Sequence, residues 1–255
     1  MYIRLNQFKN IKMKKIILSL LVLFTLPLLA QNAEVVYESI YLTPEKSKES
    51  KLIEGVKKHN ENFHAKGRTT ASLYSVLIGR RSGEYLWLNG PMELSDYDST
   101  PDVNHMTDWQ KNIRNNVSSE SVVLGKLNWE ASYTPPSWGN PKYLLHRTIK
   151  ISRKYGSYHK VLEAVTKIGK VLTQINAPNP RRVYQSVFND ENGENITLVY
   201  PFKSFSRFNQ DNGLPQNFQE EYEKINGIGS FRRDIWDVLS EYSDGQSDEV
   251  LQLIN

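Results

Sequence analysis

Gly83-Glu84-Tyr85-Leu86-Trp87-Leu88-Asn89-Gly90-Pro91 and Gly193-Glu194-Asn195-Ile196-Thr197-Leu198-Val199-Tyr200-Pro201 are the stretches that decide the fold. The second lies 110 residues after the first, and the same ungapped shift sets Tyr74 on Tyr184. At an offset of 109, Leu52-Ile53-Glu54 falls on Val161-Leu162-Glu163. A repeat of this length means one supersecondary unit used twice.

Working outward, each half reads as strand, helix, strand, strand, helix, strand. In the first half, residues 34–42 are β-rich, and Thr43-Pro44 is placed to cap a helix over 46–66, which carries Leu52, Ile53, Val56 and Phe63 at helical spacing. Residues 72–78 and 85–88 form a hairpin, 102–117 a second helix and 124–133 a closing strand. In the second half the order is a strand over 143–153, a helix over 157–175, a hairpin of 182–188 with 196–200, a helix over 215–242 broken near Gly227 and Gly229, and a strand over 249–254. Thr134-Pro135-Pro136-Ser137-Trp138-Gly139-Asn140-Pro141 continues neither a helix nor a central strand. The chain therefore divides into 1–30, a first repeat 31–134, a connector 135–142 and a second repeat 143–255.

The first thirty residues stand apart. Met13-Lys14-Lys15 is a basic start, residues 16–29 are an apolar run, and Ala30 is a small residue at its end. That is the layout of a cleaved secretory signal, and the run is short of the ~20 residues a spanning helix needs. The expectation is a bacterial protein exported to the periplasm or secreted, with no stable membrane anchor after cleavage. Arg4, Lys9, Lys12, Lys14 and Lys15 all lie in this leader, so the 32 basic residues fall to 27 against 28 acids. The basic balance belongs to the export signal and gives no argument for a nucleic-acid partner. With no cysteine, disulfides, thiol catalysis and thiolate metal sites are excluded.

A βαββαβ unit is ferredoxin-like, and one such sheet leaves a face in need of a partner. Two copies satisfy each other by closing into an eight-stranded barrel with the helices outside. The fold class expected is thus α+β, two ferredoxin-like βαββαβ repeats forming one pseudo-dimeric α+β barrel, monomeric because the pairing is internal. Val183-Tyr184-Gln185, the Gly193-Glu194 turn and Leu198-Val199-Tyr200-Pro201-Phe202-Lys203-Ser204-Phe205 resemble the hairpin and the following helix start of exported members of the dimeric α+β barrel superfamily. That superfamily includes NIPSNAP-like proteins and the antibiotic-biosynthesis-monooxygenase type. The resemblance implies an interior able to hold a small organic molecule, but its members differ in activity, so fold alone does not choose a reaction.

For the interior, strand alternation sets His146, Thr148 and Lys150 on one face and Leu145, Ile149 and Ile151 on the other. The polar set is expected to look into the barrel. The 110 shift maps it onto Val36, Glu38 and Ile40, which makes Glu38 the inward candidate of the first half. Tyr85 and Trp87 are expected inward as an aromatic wall, opposite Asn195 and Thr197. The candidate ligand-binding set is then Glu38, Tyr85, Trp87, His146, Thr148 and Lys150, with Glu38 and His146 as an acid-base pair or simply a hydrogen-bonded cluster closing the barrel.

His59 and His64, five apart, are expected on different sides of one helix, with His105 and His159 near helix starts. They read as surface histidines, so neither a metal nor another cofactor is expected. There is no Gly-x-Ser-x-Gly elbow, phosphate-cradling loop or dinucleotide fingerprint. The resulting expectation is an exported protein that binds a small aromatic or apolar molecule in its barrel. The alternatives are a cofactor-independent oxygenase or isomerase, and a non-catalytic interaction module presenting an exposed Trp138.

Overall fold

The computed structural model describes residues 34–254, apart from 67–68, 101, 137, 140, 190–192 and 210–213. The expected signal segment lies outside the described residues. Eight strands run in chain order as β1 (Val36–Pro44), β2 (Thr70–Ile78), β3 (Tyr85–Met92), β4 (Val117–Leu127), β5 (Tyr143–Ile151), β6 (Arg182–Ser186), β7 (Asn195–Phe202) and β8 (Ser243–Leu253). Between them, among the described residues, lie the helices α1 (Glu49–Phe63), α2 (Val103–Asn112), α3 (Ser157–Gln174), α4 (Phe218–Asn226) and α5 (Asp237–Tyr242). None of these is long and apolar enough to cross a membrane.

The strands lie in the order β1-β3-β2-β8-β5-β7-β6-β4, a closed barrel in which every neighbouring pair is antiparallel. Closure removes sheet edges that would otherwise template aggregation. The two seams are β2 with β8, and β4 with β6, where Gly125, Lys126 and Leu127 face Ser186, Gln185 and Tyr184.

The helices cover the outside of the barrel. Leu52 and Val56 of α1 pack with Trp109 and Ile113 against Leu42, Leu73 and Trp87 of the sheet. On the other side Val161 and Val165 of α3 pack on Leu145, Ile149, Ile196 and Leu198. The opposite flank of α3, through Ala164, Ile168 and Leu172, receives Phe218 and Tyr222 of α4 and then Phe231 and Ile235. Its buried positions thus recur at helical spacing over a stripe wide enough to serve two neighbours. A fourth apolar cluster lies inside the barrel: Tyr41, Tyr74, Val76, Leu86, Leu144, Val199 and Leu251.

Local differences from the sequence expectation have physical causes. Pro44 ends β1, paired with Val117, instead of opening a helix; α1 begins five residues later behind Lys48. β4 starts at Val117, where a helix end was expected, because Ser118-Ser119-Glu120-Ser121 is a polar ladder segment, exposed except at half-buried Glu120, without an apolar face to betray it. The last helical region does divide at Gly227, whose φ of +98° suits glycine alone. It resumes through a π-helical turn at Arg232–Trp236.

Candidate functional site: the barrel cavity

The ladders decide which side chains enter the barrel. In the first half Tyr41 pairs with Leu86, which pairs with Tyr74. In the second, Thr148 pairs with Thr197, which pairs with Tyr184. Overlaying these rows keeps Tyr74 on Tyr184, 110 residues apart, but sets Leu86 on Thr197, 111 apart, and Tyr41 on Thr148, 107 apart. Both departures from 110 are odd, and an odd slip turns every side chain of a strand to the opposite face.

The expected inward set is corrected accordingly. His146 and Thr148 line the interior cavity, together with Leu144 of the same strand. Glu38 points outside, where its carboxylate accepts a hydrogen bond from the Tyr97 hydroxyl at 2.8 Å. Tyr85 and Trp87 face the helices: Trp87 packs on Trp109 with ring centres 4.8 Å apart and donates through Nε1 to Asn60 Oδ1 at 2.8 Å. Tyr85 reaches Glu49 on α1. Lys150 has the inward parity but is not among the residues that line the cavity and is exposed to solvent. Trp138, expected as an exposed partner contact, is half-buried and lines the cavity, with Lys203 Nζ 5.3 Å from its ring centre.

The residues that sequence reasoning missed are Tyr37, Ser39 and Tyr41 of β1, Tyr74 of β2, and Arg182 and Tyr184 of β6. Together with Thr148, Thr197, Val199 and His146 they enclose a cavity of about 300 Å³. Trp138 and the exposed Phe188 also line it. The rings of Tyr37 and Tyr184 meet edge to face with centres 5.5 Å apart. Arg81 enters from the β2–β3 turn and lays its guanidinium 3.7 Å from the centre of the Tyr41 ring, a cation–π contact.

The electrostatics of this wall are one-sided. Arg81 and Arg182 line it, and among the described residues no carboxylate does. Glu249 stands behind, 3.9 Å from Arg81 Nη1 and 3.5 Å from the Tyr41 hydroxyl. Burial pushes the Tyr184 hydroxyl up to about 12 against the pull of Arg182, so the wall offers neutral phenols. Burial, reinforced by the Arg81 charge, pushes His146 down to about 4. At neutral pH His146 is an uncharged imidazole, able to donate and accept one hydrogen bond each. The Thr148 and Thr197 hydroxyls face each other at 3.4 Å across the ladder. The arrangement suits an apolar body with an anionic or enolic edge turned toward the arginines.

Because the folded state holds His146 well below the ordinary value of 6.5, the unfolded chain takes up a proton that the folded chain refuses. This contribution to stability is present above pH 6.5 and is lost as pH falls toward 4. The size is on the order of 3 kcal/mol for a shift from 6.5 to about 4. His59 and His64 are also depressed by burial, so the wild type alone does not isolate the effect. Denaturation curves across this window should show His146→Gln gaining on the wild type as pH falls. Parallel pH dependence in the two proteins would remove the buried neutral imidazole from the account.

No protein-family model matches the chain, and no curated protein sequence matches it. Solved structures share the fold. A candidate monooxygenase from Lactobacillus acidophilus superposes with a TM-score of 0.55 at 10% identity, over 87% of this chain and 94% of that one. A second candidate monooxygenase, from Fusobacterium nucleatum subsp. nucleatum, gives 0.56 at 9% identity, over 88% and 94%. An anthrone oxidase-like protein gives 0.53 at 13%, over 88% and 93%. At these identities the likeness is one of fold alone.

Proposed function

We propose that the chain is a small-molecule-binding protein that takes a planar, largely apolar ligand with an acidic group into its barrel. The observation that carries this reading is the cavity of about 300 Å³, walled by four tyrosines and two arginines with no carboxylate among the described lining residues. Its volume is at the lower end of ligand pockets, enough for a two-ring compound. Tyr37, Tyr41, Tyr74 and Tyr184 supply flat walls, and Arg182 supplies the charge at the Tyr184 end. The barrel reads as two ferredoxin-like repeats, residues 31–134 and 143–255 about the connector 135–142, in a monomer related to the dimeric α+β barrel superfamily. The strand order within each half, fourth-first-third-second, supports that reading. We also propose that the chain is exported after cleavage behind Ala30, has no nucleic-acid partner and keeps no membrane anchor.

Extraction of the purified protein followed by mass spectrometry should recover a small aromatic or apolar acid. Independently, 2-naphthoate should quench the intrinsic fluorescence saturably, and Arg182→Gln should weaken it about tenfold, the loss of one charge-assisted hydrogen bond. The neutral analogue 2-naphthalenemethanol should respond little to the same substitution. Equal losses for both probes would refute the anionic edge. A second reading, a cofactor-independent oxygenase or isomerase, draws on the fold shared with the candidate monooxygenases and on the buried neutral His146 beside Thr148. Oxygen uptake with the extracted ligand, abolished in His146→Ala, would favour it.

A further inference from the structure

Outside the barrel, between α1, β3 and α2, three histidines converge. The expectation of surface histidines fails here: His59 is fully buried and His64 nearly so. The five-residue spacing that should separate them on a helix does not apply, because α1 ends at Phe63 and His64 leaves the helical path with φ −126° and ψ 6°. That turn swings its imidazole back beside His59, and the first turn of α2 brings in His105. One ring nitrogen from each of the three lies within 4.8 Å of the other two.

We propose that His59, His64 and His105 form a binding site for a divalent transition metal of the zinc class. Four observations support this. The Nε2 atoms of His64 and His105 face each other at 3.1 Å, close to the spacing of about 3.3 Å that two nitrogens take on a tetrahedral ion with Zn–N of 2.0–2.1 Å. The His59 Nε2 is buried and has no hydrogen-bond partner among the described residues, although buried polar atoms are ordinarily paired. Its other nitrogen, Nδ1, is held at 2.8 Å by Asp108 Oδ2, and Asp108 is in turn fixed by Asn112 Nδ2 at 2.7 Å. A carboxylate behind a histidine is the arrangement that orients a metal-binding imidazole. Finally, His105 is only half-buried, which gives the ion a way in and leaves a fourth coordination position toward solvent.

The chemistry narrows the metal. Three imidazoles with no thiolate suit zinc, nickel, cobalt or copper(II) and disfavour magnesium or calcium, which prefer oxygen. Since 4.8 Å exceeds the tetrahedral spacing, binding must draw the rings together. Trp87 and Trp109 wall the cluster, so metal binding should also be felt in tryptophan emission. The site lies on the helix side of β3, separate from the barrel cavity.

The test is a titration of the untagged full chain, stripped with chelator, with zinc(II) alone and with cobalt(II) as a visible-absorption reporter. One zinc per chain, a rise in melting temperature and a tetrahedral cobalt spectrum are expected. His105→Gln, at a half-buried position, should lose at least about a hundredfold in affinity while keeping its far-ultraviolet circular dichroism. Asp108→Asn should weaken zinc by about ten- to a hundredfold and retain the stoichiometry. His159→Gln, on the exposed face of α3, should change nothing. Absence of saturable zinc binding by the folded wild type, or equal binding by His105→Gln, would overturn the proposal.

Discussion

Replacing Trp87 by alanine is expected to lower the unfolding free energy by about 4 kcal/mol, the middle of the range for truncating a buried aromatic. Affinity for a ligand in the barrel should stay within about twofold of the wild type. Trp87 is only 2% exposed and packs on Trp109 with its indole N–H on Asn60, all on the helix side of β3. Truncation leaves a void there and strands the Asn60 carbonyl oxygen. For a chain of this size the melting temperature should fall by roughly 8–16 °C. Leu86 and Leu88, its neighbours along the strand, face the other way, and Leu88 lines the cavity. Leu88→Ala should therefore alter ligand affinity where Trp87→Ala does not. The reverse pattern would place Trp87 in the cavity and overturn the assignment of faces.

Gly169→Ala should be the second most damaging single change, at about 3 kcal/mol, the upper end for overpacking. Alanine in a helix ordinarily gains about 1 kcal/mol over glycine. At Gly169, however, an added Cβ would lie 2.4 Å from the Ala131 carbonyl oxygen and 2.7 Å from its carbon. The obstacle is backbone, which cannot swing aside as a side chain would. α3 would have to lift from the segment after β4, loosening the same face that carries Val161 and Val165. Gly55 on α1 stands in a similar position, its Cβ only 2.1 Å from the Asn112 carbonyl oxygen, and Gly55→Ala should fall in the same direction. Urea denaturation of both variants measures this. An unchanged or raised midpoint would mean that the helices do not sit this close.

The order of elements was legible because hairpins, helical stripes and breakers each leave local marks. Gly83-Glu84 and Gly193-Glu194 mark the two hairpins, and the valines and leucines of α3 repeat at helical spacing. Which face each strand turns inward was not legible for β1 and β3. In β1 both faces are covered, one by helices and one by the barrel's own interior, so Val36-Tyr37-Glu38-Ser39-Ile40-Tyr41-Leu42 has no clean apolar alternation. An ungapped shift then carried the face of one half onto the other and erred by an odd number of residues. His146 and Thr148 in β5 escaped because Leu145, Ile149 and Ile151 make that strand one-sided. The Tyr74–Tyr184 match was available all along, and it marked two residues that line the cavity. The histidine cluster was hidden for another reason: its formation depends on α1 stopping at Phe63, three residues before the end at Lys66 that the glycine at 67 suggests.

The central claim, that the barrel interior is a ligand site, is tested most directly by filling it. Ser39 sits on β1 between Leu88 and Val123, with its side chain on the cavity wall. In Ser39→Trp the indole should occupy the space a ligand would use. Titration with 2-naphthoate, with circular dichroism to confirm the fold, should show saturable binding by the wild type and at least about a tenfold loss in the variant. A folded Ser39→Trp protein that binds 2-naphthoate as the wild type does would contradict the claim.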